Sequence, residues 1–287
     1  MPILSYHYVG DAKGFDFALH SCKIGEFNRH LDLLKSNYCI VSLAEYIDLK
    51  KQNVDISKYV SLVFDDGPVV HYNNVFPELM KRKILASFFP IASVFEGKIP
   101  APIKMHVVFS QIDSVKIAED LEKFLSRKIS RSRRLNHKTR LKDGILTANI
   151  KQVLSKSPIA EKENFVNSQF SKIIDDEKQF CRKFFMQPKQ IKEMVAAGMN
   201  VGSHSYYHTA LDSLNFYEQK NDISRSKKII ENITNEKIYS FSCPFGVYNK
   251  DTVKILHQLE FRSVVAYHAP KDDDFIISCL DYERFFQ

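Results

Sequence analysis

The chain has 287 residues, of which 44% are hydrophobic and 26% are charged, and its formal charge is +7 at pH 7. These values are typical of a soluble globular protein with a substantial core. No apolar run approaches the ~20 residues of a membrane span. The N-terminal segment MPILSYHYVGDAKGFD has neither the basic nor the apolar region of a secretory signal. We therefore expect no transmembrane helix and no signal peptide.

The first third of the chain alternates between strand-like and helix-like segments. In chain order they are the strand ILSYHYV, the helix EFNRHLDLLKSN, the strand YCIVSL, the helix AEYIDLKKQ, the strand YVSLVF, the helix NNVFPELMKRK and the strand ILASFFPIA. Apolar residues at helical spacing, such as Phe27, Leu31 and Leu34, mark the helices. This rhythm favours βαβ units and a mostly parallel sheet, either open or closed into a barrel.

From residue 97 to residue 186 the rhythm stops, and the spacing predicts helices and loops only. The rhythm then resumes with the helix QPKQIKEMVAAG, the strand MNVGSH, a helix over 216–235, the strand IYSFSC, the helix DTVKILHQL and the strands FRSVVAY and FIISCL. We therefore predict an α/β domain formed by residues 1–96 and 187–287. A helical insertion, residues 97–186, would interrupt it as a substrate wall, a lid or an oligomer contact.

The cysteines are odd in number and widely spaced along the chain. They are Cys22, Cys39, Cys181, Cys243 and Cys279. No CxxC pair suggests a metal cage or a redox site. Reduced, mostly buried thiols are the simplest account, and they predict a cytoplasmic protein.

Much of the positive charge lies in one stretch, residues 127–142, which has eight Lys and Arg residues and no Asp or Glu. Such a run is often a solvated surface. It also fits an anionic partner such as a nucleotide, an acidic glycan or a phospholipid headgroup, so peripheral membrane contact stays open. The stretch has no interleaved aromatic residues and the chain has no nucleic-acid-binding motif, which disfavours nucleic acid as a partner.

Polar residues follow several predicted strands, at the ends where ligands bind in parallel α/β folds. Asp65 and Asp66 follow YVSLVF, HSYYH at 204–208 follows MNVGSH, and CPFG at 243–246 follows IYSFSC; His7 lies near the end of the first strand. Adjacent carboxylates resist joint ionisation unless a cation or donors hold them. An ordinary acidic turn is the alternative, because Asp, Gly and Pro are common turn residues.

His204 and His208 are four residues apart, so a helical turn would place both imidazoles on one face. Two histidines and a carboxylate form a three-ligand face that leaves coordination positions open, as hydrolytic metal sites require. One aspartate would bind the metal, and the other would take a proton from the attacking water. The alternative is two surface or core histidines, each satisfied by one hydrogen bond. We favour metal-assisted hydrolysis.

On these residues the chain resembles the polysaccharide deacetylases, the NodB-type carbohydrate esterases. FDDGP at 64–68 resembles the first motif of the family, HSYYH matches the second, His-Ser/Thr-x-x-His, and SCPFG at 242–246 resembles the third, Arg-x-Pro-Phe/Tyr-Gly. SYHYV is similar to a Tyr-His segment of some members. The resemblance covers residues 1–96 and 187–287. It implies a distorted (β/α) barrel that hydrolyses an N-acetyl group, less often an O-acetyl group, on a sugar.

The resemblance also implies roles for the matching side chains. Asp65 would be the general base. Asp66, His204 and His208 would bind one divalent metal, usually zinc, although the same triad accepts cobalt, nickel or manganese.

The third motif would supply the oxyanion contact. The backbone N–H of Phe245 would face the developing negative charge, and Pro244 and Gly246 would shape this substrate-binding loop. The arginine of the family's third motif, which steadies the catalytic aspartate, is replaced by Ser242. Arg284 is a candidate replacement from the end of the chain; a surface ion pair with a neighbouring acidic residue is the alternative.

The late Leu-x-His motif that supplies the family's general acid is missing. His7 is our first candidate to protonate the leaving amine, and His268 is the second; a structural histidine bonded to a carbonyl is the alternative for His7. His71 could bind substrate or simply lie exposed at the start of a helix. Tyr206 and Tyr207 could stack on a sugar ring, and packing between strand and helix is the alternative.

The sequence thus predicts a metal-dependent N-deacetylase acting on a nucleotide-sugar, a sugar-phosphate, a lipid-linked glycan or an oligosaccharide in surface-polysaccharide biosynthesis. An exported polysaccharide is an alternative substrate, and a non-sugar amide is another. A protein of the same fold that binds glycan without catalysis is the alternative of a different class. The missing arginine and general acid favour it, and the intact aspartates and histidines oppose it.

Overall fold

The computed structural model describes residues 3–10, 20–136, 143–267, 269–270 and 273–286. The chain divides into two compact units. The first comprises Met1–Ala12, Ser21–Lys98 and Lys178–Gln287, and the second comprises Lys13–His20 and Ile99–Glu177. The second unit and the predicted insertion, residues 97–186, share residues 99–177.

A parallel sheet forms the centre of the first unit. Its strands are β1 (Ile3–Tyr6), β2 (Cys39–Ile40), β3 (Tyr59–Asp66), β4 (Ser87–Pro90), β5 (Asn200–Val201), β6 (Ser240–Ser242), β7 (Ser263–Ala266) and β8 (Ile276–Asp281). Seven of them follow the order β5-β4-β3-β1-β8-β7-β6, and β2 pairs with β3 off this path. A parallel bridge between Ser203, just after β5, and Phe241 of β6 brings the two ends together. The result is a nearly closed (β/α) barrel, which confirms the predicted fold class.

Alternation along the strands separates an inner cluster of side chains from an outer one. Ile3 of β1, Val63 of β3 and Phe89 of β4 belong to one buried cluster, together with residues of β7 and β8. Their neighbours Leu4 and Phe64 belong to a second cluster, which includes the apolar faces of the helices. Because side chains alternate with a period of two, Ser5 and Asp65 share the face of Ile3 and Val63. Polar atoms at the carboxyl ends of β1 and β3 therefore point to the same side.

Helices connect the strands of the first unit. They are α1 (Ile24–Asn37), α2 (Leu43–Lys51), α3 (Phe76–Arg82), α8 (Glu177–Phe184), α9 (Pro188–Ala196), α10 (Phe216–Thr234), α11 (Lys250–Gln258) and α12 (Tyr282–Phe285). Several begin at polar caps that satisfy free N–H groups. The Asn215 side chain accepts from the N–H groups of Tyr217 and Glu218 at the start of α10.

The second unit is helical, with α4 (Ala101–Gln111), α5 (Ser114–Leu125), α6 (Ile145–Lys156) and α7 (Ile159–Phe170). Residues 127–136, the described part of the basic stretch, form a loop that the buried Glu122 stabilises. The Glu122 carboxylate accepts from the Ile129 N–H at 2.8 Å and pairs with Arg131 at 2.6 Å. Residues 137–142, the rest of the predicted basic stretch, lie outside the described part of the chain.

Two sequence expectations concern the chain as a whole. All five cysteines are free thiols, and Cys39 is the exposed one. No helix among the described residues is both long enough and apolar enough to cross a bilayer.

His71, a predicted substrate-binding residue, is buried in the structure. It starts a π-helical turn, His71–Val75, directly before α3, and its side chain is fully buried. The ring lies against Phe64 and Phe88, at centroid distances of 5.4 and 5.8 Å, and Nε2–H donates to the His7 carbonyl. The structure therefore gives His71 a packing role, because a substrate cannot reach a side chain enclosed in this way.

We expect Gly202→Ala to destabilise the barrel where it closes. A Cβ at this position would meet Phe89 Cε1 at 2.5 Å and would also contact the Ser240 carbonyl. Such overpacking costs about 1–3 kcal/mol. Urea denaturation should show this loss in the free energy of unfolding. Gly25→Ala is the control, because nothing lies within 4 Å of its Cβ position. Equal unfolding of both variants and wild type would contradict the tight closure.

We also expect His71 to make stability depend on pH. Burial lowers the pKa of His71 to about 3, with smaller opposing effects from its hydrogen bond to His7 and from Asp65. Below pH ~6.5 the unfolded chain takes up a proton that the folded chain excludes, so stability falls as pH decreases, by up to about 1.4 kcal/mol per pH unit. His71→Gln should flatten this slope in unfolding curves measured between pH 7 and 4. The exposed His257→Gln should leave it unchanged, and parallel curves for His71→Gln and wild type would refute the assignment.

Candidate active site

The two aspartates lie where β3 ends in a tight turn. Both side chains are buried, with 5% exposure for Asp65 and 4% for Asp66. Asp66 has φ 71° and Gly67 has φ 77°, so the chain leaves the extended conformation at Asp66. A positive φ is unusual for a residue other than glycine and is maintained only where surrounding contacts enforce it. The contacts around this turn therefore hold Asp66 in an uncommon backbone conformation.

The HSYYH segment forms a loop after β5, and not the helical turn that the spacing of His204 and His208 suggested. Ser205 has φ 62° and His208 has φ 48°, and no residue of the segment is helical. The two imidazoles nevertheless converge, with ring centroids 4.8 Å apart. The two imidazoles therefore come together in a loop with left-handed backbone at Ser205 and His208, without the expected helical turn.

Asp66, His204 and His208 form a compact buried cluster. Nε2 of His204 lies 3.6 Å from Asp66 Oδ1, and Nε2 of His208 lies 3.4 Å from the same oxygen. One potential ligand atom of each residue lies within 4.8 Å of those of the other two. Two segments that are far apart in sequence, the end of β3 and the loop after β5, thus place three ligand atoms around one point.

The backbone carbonyl of Ser242 sets the tautomer of His204. His204 Nδ1 lies 2.8 Å from the Ser242 carbonyl oxygen, so Nδ1 carries the proton and donates it to that oxygen. The Nε2 lone pair then faces Asp66 and is available to a cation. Metal-binding histidines are commonly oriented by such a hydrogen bond from the second ring nitrogen.

These three residues fit a divalent cation. Asp66 Oδ1 is buried and accepts no hydrogen bond within the described chain. Burial raises the pKa of the Asp66 carboxyl, although His7 and His204 oppose this rise, so the anion lacks full compensation from the protein. A cation between Oδ1 and the two imidazole nitrogens would supply that compensation. A three-ligand set of this kind leaves positions for water and substrate.

Asp65 is held through one oxygen only. Ser5 Oγ donates to Asp65 Oδ2 at 3.1 Å, whereas Asp65 Oδ1 is buried and has no hydrogen-bond partner among the described residues. Sequence reasoning missed Ser5, although its place two residues before His7, on the inward face of β1, was a usable signal. The arrangement leaves one carboxylate oxygen free to accept a proton.

His7 lies just beyond β1, close to both carboxylates. Burial lowers the pKa of His7. The negative charges of Asp66, Asp65 and Asp281 together raise it by more than burial lowers it, so the pKa lies above 6.5. These carboxylates thus favour the protonated imidazolium. This placement is consistent with the predicted acid. The second candidate, His268, lies outside the described residues.

The third motif forms a short 3-10 turn, Pro244–Gly246, beside His208. Phe245 has φ 57°, is 49% exposed, and its ring meets the His208 ring edge-on at 4.6 Å. The Gly246 N–H bonds back to Cys243, and among the described residues no hydrogen bond uses the Phe245 N–H. Pro244, the first residue of this turn, is buried. The loop therefore presents a free backbone donor next to the triad.

Tyr206 and Arg284 are two further residues that the sequence predicted for the site. Tyr206 is 8% exposed; its hydroxyl donates to Glu96 at 2.7 Å, and the Arg225 guanidinium stacks on its ring at 3.9 Å. It is a packing residue, as the alternative interpretation held. Arg284 is exposed in α12, and within the described chain it makes no hydrogen bond to Asp65, which Ser5 holds instead. The support of Asp65 by Arg284 stays a prediction.

Known proteins resemble this chain over part of its sequence. A family model described as polysaccharide deacetylase matches residues 146–264, a region that includes the second and third motifs but not the first. The Bacillus subtilis (strain 168) protein YxkH, whose name describes a polysaccharide deacetylase, is 31% identical over 85 residues. That match covers 30% of this chain and 30% of YxkH.

Solved deacetylases have the same fold. The Streptococcus pyogenes deacetylase PplD, crystallised with acetate, is 17% identical, with a TM-score of 0.62 over 98% of this chain and 91% of that one. IcaB from Ammonifex degensii is 20% identical, with a TM-score of 0.59 over 98% and 90% of the two chains. At these identities the likeness concerns the fold. The family model and the curated relative add a sequence likeness to polysaccharide deacetylases over part of the chain.

Proposed function

We propose that this protein is a divalent-metal-dependent deacetylase that hydrolyses an N-acetyl group on a sugar. The observation that carries the proposal is the buried Asp66–His204–His208 cluster beside Asp65, whose Oδ1 has no partner among the described residues. A proton acceptor next to a three-ligand site is what hydrolysis needs.

The bound metal would polarise the acetyl carbonyl and lower the pKa of the attacking water. Asp65 Oδ1 would take the proton of that water, while Ser5 holds Oδ2 and fixes the carboxylate. The Phe245 N–H would donate to the carbonyl oxygen as it gains negative charge. The His7 imidazolium would protonate the amine as the C–N bond breaks, which gives acetate and a free amine.

Zinc is our choice of metal. Two imidazole nitrogens and one carboxylate oxygen are common zinc ligands, and a three-residue set is typical of catalytic zinc sites. Cobalt, nickel and manganese can occupy the same kind of set, so affinity and metal supply decide among them.

For the substrate we propose an acetylated sugar of surface-polysaccharide biosynthesis, in the form of a nucleotide-sugar, a lipid-linked glycan or an oligosaccharide. A solved relative of the same fold, from Aggregatibacter actinomycetemcomitans, is described as a de-N-acetylase, which supports an N-acetyl group. The exposed Arg127, Lys128 and Arg133 support an anionic substrate. A cytoplasmic location stays a prediction, which fractionation of the producing cells would test.

A glycan-binding protein without catalysis is the second candidate. It is favoured by the absence of an arginine from the third motif, where this chain has Ser242. The buried Asp65 opposes it, because a binding module has no need of a proton acceptor beside a metal site. Acetate release from acetylated sugars separates the two candidates.

We expect about one divalent ion per chain, and we expect His204→Ala to lose it. Removing one of three ligands leaves too few donors for tight binding. Elemental mass spectrometry on protein incubated with zinc measures the content directly. The control is His257→Ala, which changes an exposed histidine that stacks on Phe275 outside the cluster. If wild type bound no metal after this incubation, the hydrolytic proposal would be rejected in favour of glycan binding.

We expect Asp65→Asn to lower turnover by at least about 100-fold while metal content stays at the wild-type level, because an amide cannot accept the proton. Acetate release and elemental analysis on the same preparations check both parts. Asp66→Asn is the matched comparison and should lose the metal. The opposite pattern, with metal lost only from Asp65→Asn, would mean that the two aspartates have exchanged roles.

A further inference from the structure

We propose that Asp222 of α10 is a positioning residue that sets the geometry of both histidine ligands by binding the loop between them. The inference rests on the proposed metal site, and it assigns a function to a carboxylate that neither the motifs nor the proposed chemistry uses. Asp222 is buried, with 8% exposure, in the middle of α10.

Both oxygens of Asp222 bind the backbone of the HSYYH loop. Oδ1 accepts from the Tyr206 N–H at 2.8 Å, and Oδ2 accepts from the Tyr207 N–H at 3.0 Å. These two N–H groups lie between the ligands His204 and His208. A buried carboxylate that receives two such bonds is a strong, directional acceptor, so it fixes the path of the loop.

A third contact reaches one ligand more directly. The Ser205 side chain also hydrogen-bonds to Asp222, and Ser205 Oγ accepts from the His208 N–H at 2.9 Å. Ser205 and His208 are the two residues of the loop with positive φ. This conformation costs of order 1–3 kcal/mol per residue and persists only where other contacts hold it. Asp222 and Ser205 therefore hold the backbone that aims the His208 imidazole at Asp66.

The other side of the loop is held by carbonyl contacts. The Ala92 N–H donates to the Ser205 carbonyl at 3.1 Å, and the Ser93 N–H donates to the Tyr206 carbonyl at 2.9 Å. Those bonds satisfy acceptors of the loop, and Asp222 satisfies its donors. An asparagine in place of Asp222 would keep one acceptor, but its NH₂ group would face an N–H, so one of the two donors would be left buried without a partner.

The test is the affinity of the protein for Zn²⁺ and Co²⁺ in Asp222→Asn, measured by competition with a chromophoric chelator. We expect a 10- to 100-fold weaker affinity than wild type, the usual effect of losing a group that orients metal ligands. The visible absorption of bound Co²⁺ should also change, because it reports the arrangement of the ligands. Loss of fold stability alone would not alter the spectrum of the metal-loaded protein.

Two further variants make the result decisive. Glu122→Gln removes a carboxylate of similar burial, 7% exposed, that also accepts a backbone N–H, but in the second unit. It should leave Zn²⁺ affinity and the Co²⁺ spectrum at wild-type values even if its thermal unfolding temperature falls. Ser205→Ala keeps Asp222 and should weaken Zn²⁺ binding less than Asp222→Asn does; it carries the test if Asp222→Asn does not fold.

The outcomes separate this proposal from the proposed function. Wild-type metal affinity in both Asp222→Asn and Ser205→Ala would overturn the positioning role and leave deacetylation untouched. Weakened metal binding in these variants, together with no acetate release by metal-loaded wild type, would support the positioning role and reject the deacetylase.

Discussion

Two adjacent carboxylates, Asp65 and Asp66, are buried at the end of a strand whose other residues are mostly apolar. An ionised carboxylate in such surroundings is costly unless positive charge or hydrogen-bond donors face it. The two residues meet this requirement differently. Asp65 receives the Ser5 hydroxyl on one oxygen. Asp66 faces the Nε2 atoms of His204 and His208, and a cation between these three groups would compensate its charge. The need to compensate this buried charge organises the residues around it.

The parallel barrel brings the compensating groups together because all of its paired strands end on the same side. His7 follows β1, the aspartates end β3, and the HSYYH loop follows β5. These segments are distant in sequence, but strand order makes β1 a neighbour of β3 and places β4 between β3 and β5. Each segment then leaves its strand in a tight turn. The left-handed backbone conformation at Asp66, Ser205 and His208 sets the final orientation of the ligand side chains. This conformation is stable only because neighbouring elements hold it.

The departures from the family's motifs concern the supports of the site more than its ligands. The polysaccharide deacetylases that the chain resembles have an arginine in the third motif, where this chain has Ser242. Here Ser5 holds Asp65 from the adjacent strand, and Ser242 contributes its carbonyl to His204. Among the described residues, Asp65 therefore has a neutral hydroxyl as its side-chain partner. By our proposal, Asp222 supports the loop that carries the two histidines.

Much of the fold and the core of the site followed from the sequence alone. Local periodicity indicated the strands and helices. The ends of two predicted strands carried the four candidate residues of the metal site, which are Asp65, Asp66, His204 and His208. The sequence did not show which polar neighbours would serve them, because Ser5, Ser242 and Asp222 carry no motif of their own. Nor did it show that His71 is enclosed or that Arg284 is exposed. Spacing along a chain reports which face of an element a residue occupies, whereas hydrogen-bond partners across elements depend on register, strand order and turn conformation, and only the tertiary structure decides these.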